Sequence, residues 1–277
     1  VGLIVGGIAA VVVVALIVGI GIWASGWVKA ATSPPTVITG PASAEVPSFT
    51  PRPTPSVSAT KRTDAIPIVY AAALGGACKP LSAATDWASV RTLIAAQQAC
   101  LDVQWSAVFR KAGRSFTPPQ VSFVTGDLTT TKCADEGLDP KVYPAHYCNP
   151  DAYTIYVFDT VTKAVVADRA FAFTVLAHEY AHHVQYLLGA VTGSSTRDPE
   201  LTRRIELQAQ CVSMHALART TGLNTSKADL DQVKADWNRD TPHHGSAVAR
   251  TFWNQRGYAA ATIGECDTFS APASQVT

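Results

Sequence analysis

The sequence predicts an α+β chain: one transmembrane helix followed by a mainly helical domain with a small β-sheet. Three observations predict it. Residues 1–23 are almost unbroken Val, Ile, Leu, Ala and Gly, with no charge before Lys29, and an apolar run of that length spans a bilayer. Several downstream segments repeat apolar residues at the spacing that buries one helix face. Two short runs rich in β-branched and aromatic residues, 121–124 and 153–158, supply strands.

The chain divides into four parts. Residues 1–28 form the membrane helix, with Trp23 and Trp27 where indoles favour the interface. Residues 29–66 are dense in Pro, Ser and Thr and poor in large apolar side chains, the composition of an extended linker. Residues 67–269 form the folded domain, and residues 270–277 a flexible tail. A net charge of +1 and the lack of a glycine-rich phosphate loop exclude a nucleic-acid partner. Six cysteines without a C-x-x-C pair point away from a cysteine metal site and towards disulfides. Disulfides belong to an oxidising compartment, which places the domain on the extracytoplasmic side of the cell membrane.

Within the domain, a helix over 87–111 buries Val90, Leu93, Ile94, Leu101, Trp105, Val108 and Phe109. Pro118 and Pro119 end it. The strand at 121–124 follows, then a loop rich in Gly, Pro, Asp and Lys, then the strand at 153–158. That second strand is the candidate edge for pairing with an extended peptide. A helix over 167–188 is apolar over a broad surface and stops at Gly189. Helices over 200–221, 227–237 and 248–258 complete the domain, the last turning Phe252 and Trp253 to the core. Arg203 and Arg204 form a solvated face. Among fifteen possible pairings of six cysteines, the arrangement along the chain favours Cys78–Cys100, Cys133–Cys148 and Cys211–Cys266.

The chemistry concentrates in His178-Glu179-Tyr180-Ala181-His182. On a helix, residues four apart share a face, so His178 and His182 can point at one metal ion. Glu179 beside them can take a proton from water. A catalytic zinc takes three protein ligands and leaves one position open. Glu206, on the following helix, is the candidate third ligand, with Glu200 and His215 as neighbouring alternatives. His183 points about a quarter-turn away from the ligand pair and suits a structural role. Tyr180 is a packing residue. His243 and His244 lie on a turn; a histidine there could donate to an oxyanion or serve packing and capping.

Several motifs in order resemble the bacterial "putative neutral zinc metallopeptidase" family. They are Ala99-Cys100-Leu101-Asp102, Tyr147-Cys148-Asn149-Pro150-Asp151 leading into Tyr153-Thr154-Ile155-Tyr156, and Ala177-His178-Glu179 through His182-His183-Val184-Gln185. Glu206-Leu207-Gln208-Ala209-Gln210-Cys211, His244-Gly245-Ser246 with Arg250, and Cys266-Asp267-Thr268-Phe269 follow. The resemblance implies a zincin-like fold, Zn2+ held by His178, His182 and Glu206, a peptide or protein substrate, and often an N-terminal membrane segment. It also favours His244 over His243 as the donor. One departure stands out: the family usually has Asp where this chain has Gln210. A carboxylate there would orient a ligand histidine, and Gln would support it less strongly. The family's usual Gly at Ala181 is a second, conservative departure. The resulting expectation is a membrane-anchored zinc metallopeptidase. The alternative is a low-activity or inactive relative that serves as a subunit of a membrane-protein complex.

Overall fold

The computed structural model describes residues 67–80, 82–126, 132–133, 143–191, 198–223, 225–237, 241 and 243–277. The expected membrane helix and linker, residues 1–66, lie outside the described residues. Among the described residues, no helix is long and apolar enough to cross a membrane.

The domain is mainly helical. After the short α1 (Pro67–Ala71) and β1 (Gly76–Ala77), α2 (Trp87–Lys111) opens with a capping box. Asp86 accepts from the Ser89 backbone N–H while the Ser89 hydroxyl oxygen accepts from the Asp86 backbone N–H, so two helix-end donors are satisfied. Then come β2 (Gln120–Val124), β3 (Ala145–Cys148), β4 (Thr154–Phe158) and α3 (Thr162–Ala167). The expected helix over 167–188 is α4 (Arg169–Leu187). It starts later because Asp168 takes an extended conformation and caps the Ala170 N–H at 2.7 Å, which separates α3 from α4. Gly189, at φ 70°, ends α4 in the left-handed conformation suited to glycine. Helix α5 (Pro199–Arg219) is capped by Asp198 with Pro199 in its first turn, and β5 (Thr220–Thr221), α6 (Lys227–Trp237) and α7 (Ala247–Ala259) follow.

The three-stranded sheet has the order β2-β4-β3, with β2 parallel and β3 antiparallel to β4. Two corrections follow. The segment 145–148 is a strand, not loop. The segment 153–158 is the central strand, not an edge, so its backbone groups are engaged on both sides. The edge beside α4 is β3. The Phe158 N–H donates to the Pro144 carbonyl, so the alternation of the antiparallel ladder turns the backbone groups of Ala145 and Tyr147 away from β4. A two-residue parallel pair, β1 with β5, joins the domain's first described segment to the end of α5.

Helix α4 is the centre of the domain. Ala172 to Ala181 is an unbroken buried run, as expected of a helix covered on nearly all sides. It packs on α5, which packs in turn on α7. Where α5 and α7 cross, a Cβ added at Gly257 would overlap the Cys211 carbonyl oxygen, so that approach requires glycine. On the other side, Trp105, Phe109 and Phe116 form an aromatic cluster under α2. The three disulfides are Cys78–Cys100, Cys133–Cys148 and Cys211–Cys266, the expected set.

Three further expectations change. Residues 270–277 are tied down near their end rather than frayed: Val276 is fully buried and Trp253 donates its Nε1–H to the Gln275 carbonyl at 2.8 Å, while Pro272, Ala273 and Ser274 are exposed. Arg203 and Arg204 are not a solvated face. Arg203 donates to the Val276 carbonyl at 2.9 Å, and Arg204 to the Ala271 carbonyl at 2.8 Å while pairing with Glu200. The tail's carbonyls need donors once they leave water, and these guanidinium groups supply them. On α7, Trp253 is buried but Phe252 faces outward, 37% exposed.

Candidate metal centre

Helix α4 presents His178 and His182 from successive turns of one face, and α5 returns beside it with Glu206. His178 Nε2 lies 3.1 Å from Glu206 Oε2, His182 Nε2 lies 3.2 Å from the same oxygen, and the two nitrogens are 3.0 Å apart. A tetrahedral zinc about 2.0–2.1 Å from each ligand atom sets the edges between ligands at roughly 3.3 Å. The three edges here are nearly equal and close to that value, so this donor set fits zinc. His244 reaches the same carboxylate from the turn before α7, with Nε2 3.1 Å from Glu206 Oε2. The ligand atoms of His178, Glu206 and His244 all lie within 4.8 Å of one another. Two overlapping triads therefore share His178 and Glu206. The set with His182 has the tighter and more even spacing, which suits it as a ligand set, with His244 facing it.

The electrostatics suit this assignment. Burial would raise the Glu206 carboxyl, but His182 and His244 beside it outweigh that and hold it well below its usual range. Burial pushes His178 down to about 4, leaving it in the neutral form that ligates metal. For His182 burial also opposes protonation, but Glu206 and Glu179 outweigh it and carry the ring up to about 9. An arriving cation would displace that proton. Glu179 is buried, and desolvation pushes its carboxyl up to about 7; His182 and the backbone N–H of Tyr147 in β3 work against the rise.

Other residues fall into clear places. Glu200 pairs with Arg204, and His215 is hydrogen-bonded to Leu74 and Ala260, so neither alternative ligand joins the cluster. His183 is buried, with Nε2 2.7 Å from the Thr117 carbonyl and Nδ1 2.9 Å from the Tyr147 hydroxyl. Nε2–H must therefore donate to Thr117, and Nδ1 accepts from Tyr147. This pins β3 to α4, on the strand whose N–H holds Glu179. Tyr180 packs in the core and donates to Asp102 at 2.6 Å. His243 lines the cavity beside the site and joins neither triad.

Gln210 requires a correction. It does not support a ligand histidine. Its Nε2 donates to Asn254 at 2.7 Å and its Oε1 accepts from Arg250 Nε at 3.1 Å. Gln210 is one turn beyond Glu206 on α5, with its amide turned to Arg250 and Asn254 of α7. The support expected of it comes instead from Gln185, whose Oε1 accepts from His182 Nδ1 at 2.9 Å. The Gln185 amide is fixed in turn by the Ile205 carbonyl at 2.9 Å and by Gln208 at 3.0 Å. Sequence reasoning gave Gln185 no role, although its place three residues after His182 on the same helix was a usable signal.

Trp237, at the end of α6, is the other residue missed. His178 Nδ1 is buried with no hydrogen-bond partner among the described residues. Its ring is held by packing: Trp237 lies 5.2 Å away at 31°, and His244 lies 5.9 Å away at 28°. Trp237 is itself held by its Nε1–H on Thr174 Oγ1 at 3.3 Å. A cavity of about 470 Å³ opens on His178, Glu179 and His244.

Fold and donor set together define the class: an α+β domain built around a helix-borne His-Glu-x-x-His motif, with a glutamate from the next helix beside it. The chain belongs to the family described as "Putative neutral zinc metallopeptidase", which matches residues 80–269. It is 29% identical over 195 residues to "Uncharacterized protein YpfJ" of Escherichia coli K12, covering 60% of this chain and 66% of that protein. It is 31% identical over 204 residues to "Uncharacterized protein Rv2575" of Mycobacterium tuberculosis H37Rv, covering 60% and 67%. The chain thus spans about two thirds of the length of these relatives. No solved structure matches it.

Proposed function

We propose that this chain is a membrane-anchored, extracytoplasmic zinc metallopeptidase that hydrolyses peptide bonds. The observation that carries the reading is the even triangle of His178, His182 and Glu206, with the buried Glu179 next to it. Bound there, zinc supplies Lewis acidity, polarising a carbonyl and acidifying water. Glu179, buried beside the two histidines, takes the proton of the attacking water, the part a positioned carboxylate plays in general base catalysis. The same carboxyl then returns the proton to the departing amine. His244 Nε2 donates to the oxygen that gains charge as the carbonyl is attacked. The outward backbone groups of Ala145 on β3 pair with the extended substrate, so that β3 takes the part expected of the strand at 153–158. Tyr147 holds Glu179 in place from that same strand.

Residues 1–28 supply the anchor to the lipid bilayer, and the three disulfides suit an oxidising compartment outside the cytoplasm. The test is the Glu179→Gln variant, assayed on a peptide library with its zinc measured in parallel. Zinc stays at one equivalent and cleavage falls at least 100-fold, the scale of general acid–base catalysis. Undiminished cleavage would refute the mechanism. Zinc bound to a wild-type chain that cleaves no peptide would favour the inactive-subunit alternative.

A further inference from the structure

The cavity beside the metal centre has walls that the chemistry at His178 and Glu179 does not use. Phe171 and Val175 precede His178 on the same face of α4, Ala164 comes from α3, Ala145 from β3 and Trp237 from α6. These walls are mostly apolar. At about 470 Å³, the cavity is within the range of roughly 300–1,000 Å³ typical of specific ligand pockets. It is continuous with the candidate reaction centre, so a side chain next to the attacked group can reach it.

We propose that this cavity is a specificity pocket that receives a large apolar side chain of the substrate, Phe or Leu in type, next to the scissile bond. The proposal deepens the peptidase reading and rests on it. Its first support is the match between apolar walls and an apolar side chain: burying such a side chain contributes about 1.5–3 kcal/mol. Polar or charged side chains would lose water there without full compensation. Its second support is Arg250, which also lines the cavity. Its guanidinium lies 5.7 Å from the Trp237 ring centroid, and its Nε is committed to Gln210. A Lys or Arg side chain entering the pocket would meet that charge, and an acidic one would have to displace the groups that already hold the guanidinium. Ala164 and Ala145 line the cavity with small side chains, which leaves room for a large one.

The test uses the zinc-loaded full chain and N-acyl dipeptide hydroxamates that differ in one side chain: Phe, Leu, Ala, Asp or Lys. Binding is measured by calorimetry. Phe and Leu compounds bind at least tenfold more tightly than Ala, Asp or Lys compounds. Ala164→Phe fills the pocket and erases that preference, with zinc content and thermal unfolding unchanged; Ala164→Leu serves if the larger substitution disturbs folding. An equal ranking, a preference for Asp or Lys, or no binding at all overturns the proposal, and the wild-type ranking decides without any variant. Cleavage of the matched peptides is followed separately. Apolar-selective binding without cleavage would leave the pocket and remove the peptidase reading, whereas cleavage without apolar preference would do the reverse.

Discussion

His215 offers a test of the packing that holds α5, and it is separate from the metal. The ring is fully buried. Its Nε2 accepts from the Leu74 N–H at 3.0 Å, and its Nδ1–H donates to the Ala260 carbonyl at 3.1 Å. Both bonds require the neutral ring, and a second proton would face Leu74 N–H with no acceptor. Burial first, and Arg219 second, push its pKa from 6.5 down to about 4, against a smaller upward pull from the Ala260 carbonyl and Glu265. The folded value is below the unfolded one, so the neutral ring's stability is complete above pH 6.5 and is lost as pH falls towards 4. Linkage puts the loss at about 2 kcal/mol by pH 5 and about 3 kcal/mol by pH 4. At pH 7.5, His215→Gln costs about 1–3 kcal/mol for the altered buried hydrogen bonds. The assay is urea unfolding of chelator-treated wild type and His215→Gln from pH 7.5 to 4, so that zinc release and all other titrating groups cancel in the difference. The gap between the two proteins narrows by about 2 kcal/mol between pH 7.5 and 5. A gap that stays constant with pH would refute the reasoning.

Two further predictions concern the neighbours of the site and the helix crossing. Gln185→Ala weakens zinc binding about 10–100-fold in a chelator competition, because His182 Nδ1 loses its partner, whereas Gln210→Ala leaves zinc affinity within about threefold of wild type. The opposite order would show that Gln210 rather than Gln185 supports the ligands. Gly257→Ala destabilises the domain by about 1–3 kcal/mol, read by denaturant unfolding, because its methyl meets the Cys211 carbonyl where α7 crosses α5. An unchanged midpoint would mean that the helices separate there at no cost.

The parts of this fold that sequence revealed are those set by local spacing. His178 and His182 lie four residues apart on a helix, and that geometry is independent of the rest of the chain. Gly189 announces the end of α4 for an equally local reason. What sequence left hidden depends on how the elements meet. The segment 145–148, Ala-His-Tyr-Cys, is too short and too evenly buried to alternate, so β3 resembles the loop around it. Nothing local tells whether 153–158 is a central or an edge strand; that follows from β2 and β3 lying on either side of it. Gln210 shares a helix face with Glu206, but its amide meets Arg250 and Asn254 of α7 rather than a ligand histidine, so shared face did not mean shared function. Trp237 reads as the end of a charged surface helix, and its place against His178 is decided by where α6 folds back. The tail looks frayed by composition because the carbonyl acceptors that fix it to Arg203 and Arg204 are backbone groups, which composition does not register.

The central claim is that His178, His182 and Glu206 hold one zinc ion with Glu179 beside it. Anomalous diffraction at the zinc edge, from crystals of the zinc-loaded chain, tests it most directly. The account predicts a single peak about 2.0–2.2 Å from His178 Nε2, His182 Nε2 and a Glu206 carboxylate oxygen, with Glu179 outside the ligand set. A peak bound by His178, Glu206 and His244 with His182 uncoordinated, or no peak at this site, would contradict it.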